Sequence, residues 1–199
     1  MFKSRTSRFV AVGIMAPALV IIGLLSYRAV LREGLRQETT ITTPNGIESL
    51  EAVTLGGVEQ WILVRGEDRT KPVLLWLHGG PGQPTMMLAH RHDRELVKQF
   101  VVVHWDQRGA GKSYNAALTP EQVTPELLIA DTHELALQLR ERFNAPKIYL
   151  IGHSWGSMLG ALTVSRYPDL FAAYIGVGQA VSVPEGYTRG VPVAHRPRA

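Results

Sequence analysis

The stretch KIYLIGHSWGSMLG, Lys147 to Gly160, is where the fold can be read. Lys147 to Ser154 is an almost unbroken apolar run, the pattern of a strand buried on both faces of a parallel sheet. Trp155 to Tyr167 is rich in small residues and reads as a helix. The junction is Gly152-His153-Ser154-Trp155-Gly156, a G-x-S-x-G pattern at the passage from strand to helix. A sharp turn there lifts the Ser154 hydroxyl clear of the chain, and small residues at Gly152 and Gly156 let the turn pack. The helix N-terminus favours negative charge developing beside it. Ser154 is therefore the candidate nucleophile.

Working outward, three more apolar runs repeat the strand signal: PVLLWLHG (72–79), FVVVHWDQ (100–107) and FAAYIGVGQ (171–179). Helical spacing is expected over Met86–Gln99, with Met87, Leu88, Leu96 and Val97 inward. It is expected again over Pro125–Phe143, where Thr124 is the N-cap and Leu128, Leu135, Leu139 and Phe143 face inward. Ahead of them, Ser49–Leu55 and Val58–Arg65 alternate around Gly56-Gly57, which predicts a hairpin. A hairpin followed by alternating strand and helix predicts an α/β sheet with parallel crossovers.

Two further motifs end the strands before the serine. His78-Gly79-Gly80-Pro81-Gly82 closes the first. Acyl transfer creates an oxyanion that must meet preorganised N–H donors, and glycines let backbone amides approach it. One donor is expected from the Gly79–Gly80 segment and the other from the Trp155 amide. No Lys-Ser/Thr pair follows, which argues against a phosphate loop. Asp106-Gln107-Arg108-Gly109-Ala110-Gly111-Lys112-Ser113 follows the next strand, and Asp106 is expected to pair with Arg108 and brace the loop. Its GAGKS tail lacks the first glycine of a phosphate loop, because position 106 is Asp.

These three motifs, in this order and at three strand ends, resemble the proline iminopeptidase (prolyl aminopeptidase) family of α/β hydrolases, over about residues 46–179. The resemblance implies release of N-terminal residues, typically proline, from peptides, with Ser154 as nucleophile. It implies an oxyanion hole of Gly79, Gly80 and Trp155. The supporting residues would be His78, Pro81, Gly82, Asp106, Gln107, Arg108, Gly152 and Gly156. Peptides or small amides and esters are the implied substrates, with no cofactor and no metal.

A serine hydroxyl needs a histidine base oriented by an acid, in the chain order Ser, Asp or Glu, His. After Ser154 only Asp169, Glu185 and His195 remain. Asp169 reads as a turn residue, and His195 lies in a tail of prolines and arginines. His78 is expected to brace the oxyanion loop. His90, His92, His104, His133 and His153 carry no ligand or base signature. The family pattern stops after about Gln179, before the cap and the last strands. A truncated or frameshifted product is thus one expectation; an inactive remnant and a general esterase or lipase are the alternatives to the peptidase.

The N-terminus adds a different element. Phe9 to Tyr27 gives nineteen residues without a charge, roughly 28 Å as a helix against the ~30 Å hydrocarbon core of a bilayer. The expected layout is a basic flank (1–8), a transmembrane anchor (9–27), a linker (28–45), a partial hydrolase domain (46–180) and an irregular tail (181–199). A single pass would leave the domain extracytoplasmic. The chain carries 21 Lys and Arg against 17 Asp and Glu. Six of the basic residues fall before residue 38 and three in the last fifteen, so the middle carries twelve basic and fifteen acidic side chains. That distribution speaks against a nucleic-acid partner. With no cysteine, disulfides and thiolate metal sites are excluded.

Overall fold

The computed structural model describes residues 19–34 and 39–181, which form two units divided after Thr40. In the first unit residues 19–34 are helical (α1), with Ile22, Leu24 and Leu25 exposed. Among the described residues no helix is long and apolar enough to cross a membrane. Residues 9–18 of the expected anchor, the flank 1–8 and the tail from 182 onward lie outside the described residues.

The second unit is built on one six-stranded sheet in the order β1-β2-β4-β3-β5-β6. β1 (Ile47–Leu55) and β2 (Val58–Gly66) form the antiparallel hairpin, turning at Gly56 and Gly57, whose φ angles are 54° and 76°. β3 (Val73–Leu77), β4 (Val101–Asp106), β5 (Ile148–His153) and β6 (Phe171–Val177) run parallel to one another, and β2 meets β4 antiparallel. The register decides where the motifs meet. Leu77 stands opposite Trp105 on one side and Gly152 on the other, so the residues after β3, β4 and β5 emerge at one edge of the sheet.

Period-two alternation sorts the strands' side chains onto two faces. Val73, Leu75, Leu77, Val101, Val103 and Trp105 join the main core beneath α3 (Pro125–Arg142) and α4 (Trp155–Arg166). Thr124 caps α3 by accepting the Leu127 amide, and Leu128, Leu135 and Leu139 bury the expected face, with Phe143 partly buried against the same core. Leu74 and Val102 face the other way, against Val97.

The single helix expected over Met86–Gln99 is not what forms. A 3₁₀ turn (Met86–Leu88), one short helix α2 (Ala89–His92) and a second 3₁₀ turn (Leu96–Lys98) replace it. Met86 and Ala89 are buried, whereas Met87 and Leu88 point to solvent. The reason is electrostatic: Asp93 is fully buried and takes the Arg65 guanidinium from β2 at 2.6 Å. A buried carboxylate must meet a partner, and meeting this one sets how the segment lies on the sheet.

Candidate active site

The turn between β5 and α4 is strained at one residue. Ser154 has φ 54° and ψ −118°, a region that residues with a Cβ enter at a cost of roughly 1–3 kcal/mol. The flanking glycines make the turn possible by what they lack. A Cβ on Gly152 would lie 2.2 Å from the Gly156 carbonyl oxygen, and one on Gly156 would lie 2.3 Å from that of Leu77. Helix α4 thus rests its first turn directly on the end of β3. Ser154 itself is exposed at the sheet edge.

The same contact brings the loop after β3 to the serine. A Cβ on Gly79 would sit 3.2 Å from the Ser154 Cβ and 3.2 Å from the His153 carbonyl. Gly79 is buried, while Gly80, Pro81 and Gly82 run out to the surface. Trp155 is the first residue of α4, where the helix offers its amide no internal acceptor. Gly79 and Trp155, the first residue of α4, therefore both adjoin the exposed Ser154.

His78 ties this loop to β4. Its Nε2 lies 3.1 Å from the Gln107 amide, which must donate, so the ring proton sits on Nδ1 and is given to the Gly79 carbonyl at 2.9 Å. The Gln107 side-chain amide completes the tie by donating to the His78 carbonyl at 3.0 Å. Burial holds the imidazole below its usual range, against the opposing pull of the Gly79 carbonyl and Asp106.

Asp106 does not pair with Arg108. Its carboxylate turns to its own loop and accepts the Lys112 amide at 2.8 Å, and burial raises its pKa despite that bond and the nearby His78, His104 and Lys112. Arg108 instead forms a two-pronged bond to Asp131 on α3, Nε to Oδ2 at 2.8 Å and Nη2 to Oδ1 at 2.7 Å. Gln60 donates to the same carboxylate and accepts the Trp105 indole N–H, while Arg108 Nη2 reaches the Leu55 carbonyl. The loop is braced by the hairpin and α3, because a planar fork finds its best match in a fixed carboxylate.

Asp169 stands exposed just ahead of β6. It lies at the edge of the sheet opposite Ser154, since β5 and β6 are parallel. His195 and Glu185 are outside the described residues. His133 stacks on Tyr167 at 4.0 Å, and His104 is buried beside Asp93 and Trp76. Among the described residues no cluster could hold a metal ion. Sequence reasoning overlooked Asp131, Gln60 and Ser157. Asp131 had left a signal: it interrupts the Leu128–Leu135 face of α3 at helical spacing, where a polar residue implies a buried partner.

Residues 72–194 match the family described as alpha/beta hydrolase fold. A probable aminopeptidase, YbaC, of Bacillus subtilis (strain 168) is 38% identical over 142 residues, covering 71% of this chain and 45% of that one. Epoxide hydrolase 4 of Mus musculus is 34% identical over 113 residues, covering 56% of this chain and 29% of that one. The crystal structure of a proline iminopeptidase from Mycobacterium smegmatis superposes with a TM-score of 0.61 at 25% identity, over 75% of this chain and 50% of that one. The chain spans half or less of the length of each of these relatives.

Proposed function

We propose, on the premise that this chain belongs to the α/β-hydrolase fold family, that it carries the nucleophile and oxyanion hole of a serine hydrolase of the proline iminopeptidase type. The observation that carries the reading is the strained, exposed Ser154 with Gly79 packed against it. In this reading Ser154 Oγ attacks a substrate carbonyl carbon, forming a C–O bond as its proton passes to a general base, which a serine hydroxyl requires. The carbonyl oxygen takes up the negative charge and turns toward the N–H groups of the Gly79–Gly80 segment and Trp155. Such donors are worth ~10²- to 10³-fold in rate each when aimed at the developing charge. The substrate class is a peptide N-terminus, proline foremost, in keeping with the names of the aminopeptidase relatives.

Labelling with a fluorophosphonate is the direct test. Modification of the wild-type chain and none of Ser154→Ala is expected; equal labelling of both sinks the nucleophile assignment. Faster turnover of proline-p-nitroanilide than of p-nitrophenyl acetate is expected for the peptidase, and the reverse order favours an esterase. A second reading, a catalytically inactive form of such a hydrolase, is favoured by two observations. Among the described residues no histidine bonds the Ser154 hydroxyl, and Asp169 lies at the opposite sheet edge.

The apolar residues 9–27 anchor the chain in a membrane in this proposal, with the domain on the extracytoplasmic side. Protease accessibility of a C-terminal tag in sealed inverted vesicles tests it: protection is expected, and digestion overturns the orientation.

A further inference from the structure

The Ser157 hydroxyl is wholly buried one turn into α4, and none of the three motifs accounts for it. It lies 2.9 Å from the Ala180 amide, which can only donate, so the hydroxyl accepts there. Its own proton is then given to the Ser154 carbonyl at 2.5 Å. The Ser157 amide donates to the same carbonyl at 2.9 Å, and the Ser157 carbonyl accepts the Tyr174 hydroxyl at 2.5 Å. On the other side of the nucleophile, the Ser154 amide donates to the Val177 carbonyl at 2.9 Å. Both peptide groups of Ser154 are therefore held, one by Val177 at the end of β6 and the other through Ser157 and Ala180 just beyond it.

Planarity makes this matter for chemistry. The Ser154 carbonyl and the Trp155 N–H belong to one rigid peptide unit. Whatever fixes the direction of the carbonyl fixes the direction of the amide on its far side. Donation to the carbonyl also polarises that amide and strengthens it as a donor.

We propose that Ser157 is a positioning residue: its hydroxyl, oriented by the Ala180 amide, aims the Trp155 N–H at the oxyanion. The proposal rests on the reading of Ser154 as nucleophile and Trp155 as oxyanion donor. It adds that the donor's aim depends on the segment after β6 being docked on the elbow.

The test compares fluorophosphonate labelling of Ser154 in the wild type, Ser157→Ala and Ser157→Thr, alongside amide hydrogen exchange. Ser157→Ala is expected to slow the maximal labelling rate about tenfold, the scale of one buried hydrogen bond. The reagent concentration at half-maximal rate should stay unchanged, and Ser157→Thr should restore the rate. Faster exchange at the Ala180 amide is expected in Ser157→Ala. Wild-type labelling by Ser157→Ala, or an unchanged Ala180 amide, overturns the proposal. Should Ser157→Ala fail to fold, Ala180→Pro removes the same bond from the other side and must slow labelling likewise. If the wild type does not label at all, the nucleophile reading falls, while exchange at Ala180 and Trp155 still decides whether Ser157 holds the elbow.

Discussion

Arg108 and Asp131 are locked by two bonds of 2.8 and 2.7 Å with almost no exposure to solvent, joining the loop after β4 to the middle of α3. The pair also reaches the hairpin through the Leu55 carbonyl and Gln60. It thereby links three stretches of chain that are far apart in sequence.

Removing one partner strands a buried charge. Asp131→Ala is expected to lower unfolding free energy by about 3 kcal/mol or more, and Asp131→Asn by less, since the amide still accepts from Arg108. Urea denaturation followed by circular dichroism measures both; a loss below about 1 kcal/mol in Asp131→Ala would show that the pair is dispensable.

At Gly156 the obstacle to a side chain is backbone, 2.3 Å away at the Leu77 carbonyl, and backbone cannot rotate aside. Gly156→Ala should cost at least about 2 kcal/mol through forced separation of α4 from β3. Gly57→Asn is the control, because nothing lies within 4 Å of a Cβ there and Asn tolerates its positive φ. Comparable melting temperatures for the two variants would contradict the close packing.

Ser154 stores strain that a glycine would release. Ser154→Gly is expected to raise stability by about 1 kcal/mol, the backbone relief exceeding the added flexibility of the unfolded chain. Phosphonate labelling should vanish in the same variant. A destabilised Ser154→Gly would mean that the hydroxyl or Cβ contributes packing that outweighs the strain.

Two buried groups give opposite pH responses. Burial depresses His78, so its contribution is complete above the ordinary imidazole value of about 6.5 and is lost as pH falls toward the lower folded value. Burial raises Asp106, so its contribution is complete below about 3.9 and is lost as pH rises through the raised folded value. Asp106→Asn should therefore be more stable than the wild type at pH 7, and that advantage should shrink on acidification toward pH 4. His78→Asn should flatten the acid limb between pH 7 and 5. Parallel stability profiles for wild type and variants would refute both assignments.

The elements were legible where period and turn chemistry agreed. The hairpin, the apolar strands, the Thr124 cap and the elbow helix all appear within a residue or two of their expected bounds. The helix expected over Met86–Gln99 was not legible, because its course is set by Asp93 meeting Arg65, nearly thirty residues earlier in the chain. Asp106 and Arg108 are paired by proximity in sequence, yet Asp106 ends β4 and Arg108 lies in the turn beyond it, so the same-face alternation of a strand does not carry from one to the other. One turned to the Lys112 amide and the other to α3.

What the sequence determined by itself was local: which runs are strands, where glycine must replace a side chain, and which serine heads a helix. Those follow from periodicity and from the backbone conformations that only small residues permit. The tertiary structure alone decided that β3, β4 and β5 end at one edge, that Gly79 meets Ser154, and that Asp169 lies at the far edge. It also decided that Ser157 holds the carbonyl behind the Trp155 amide. Strand register and buried polar pairing are non-local, because each group selects its partner by closeness in space and by the cost of leaving a buried donor or acceptor unmet.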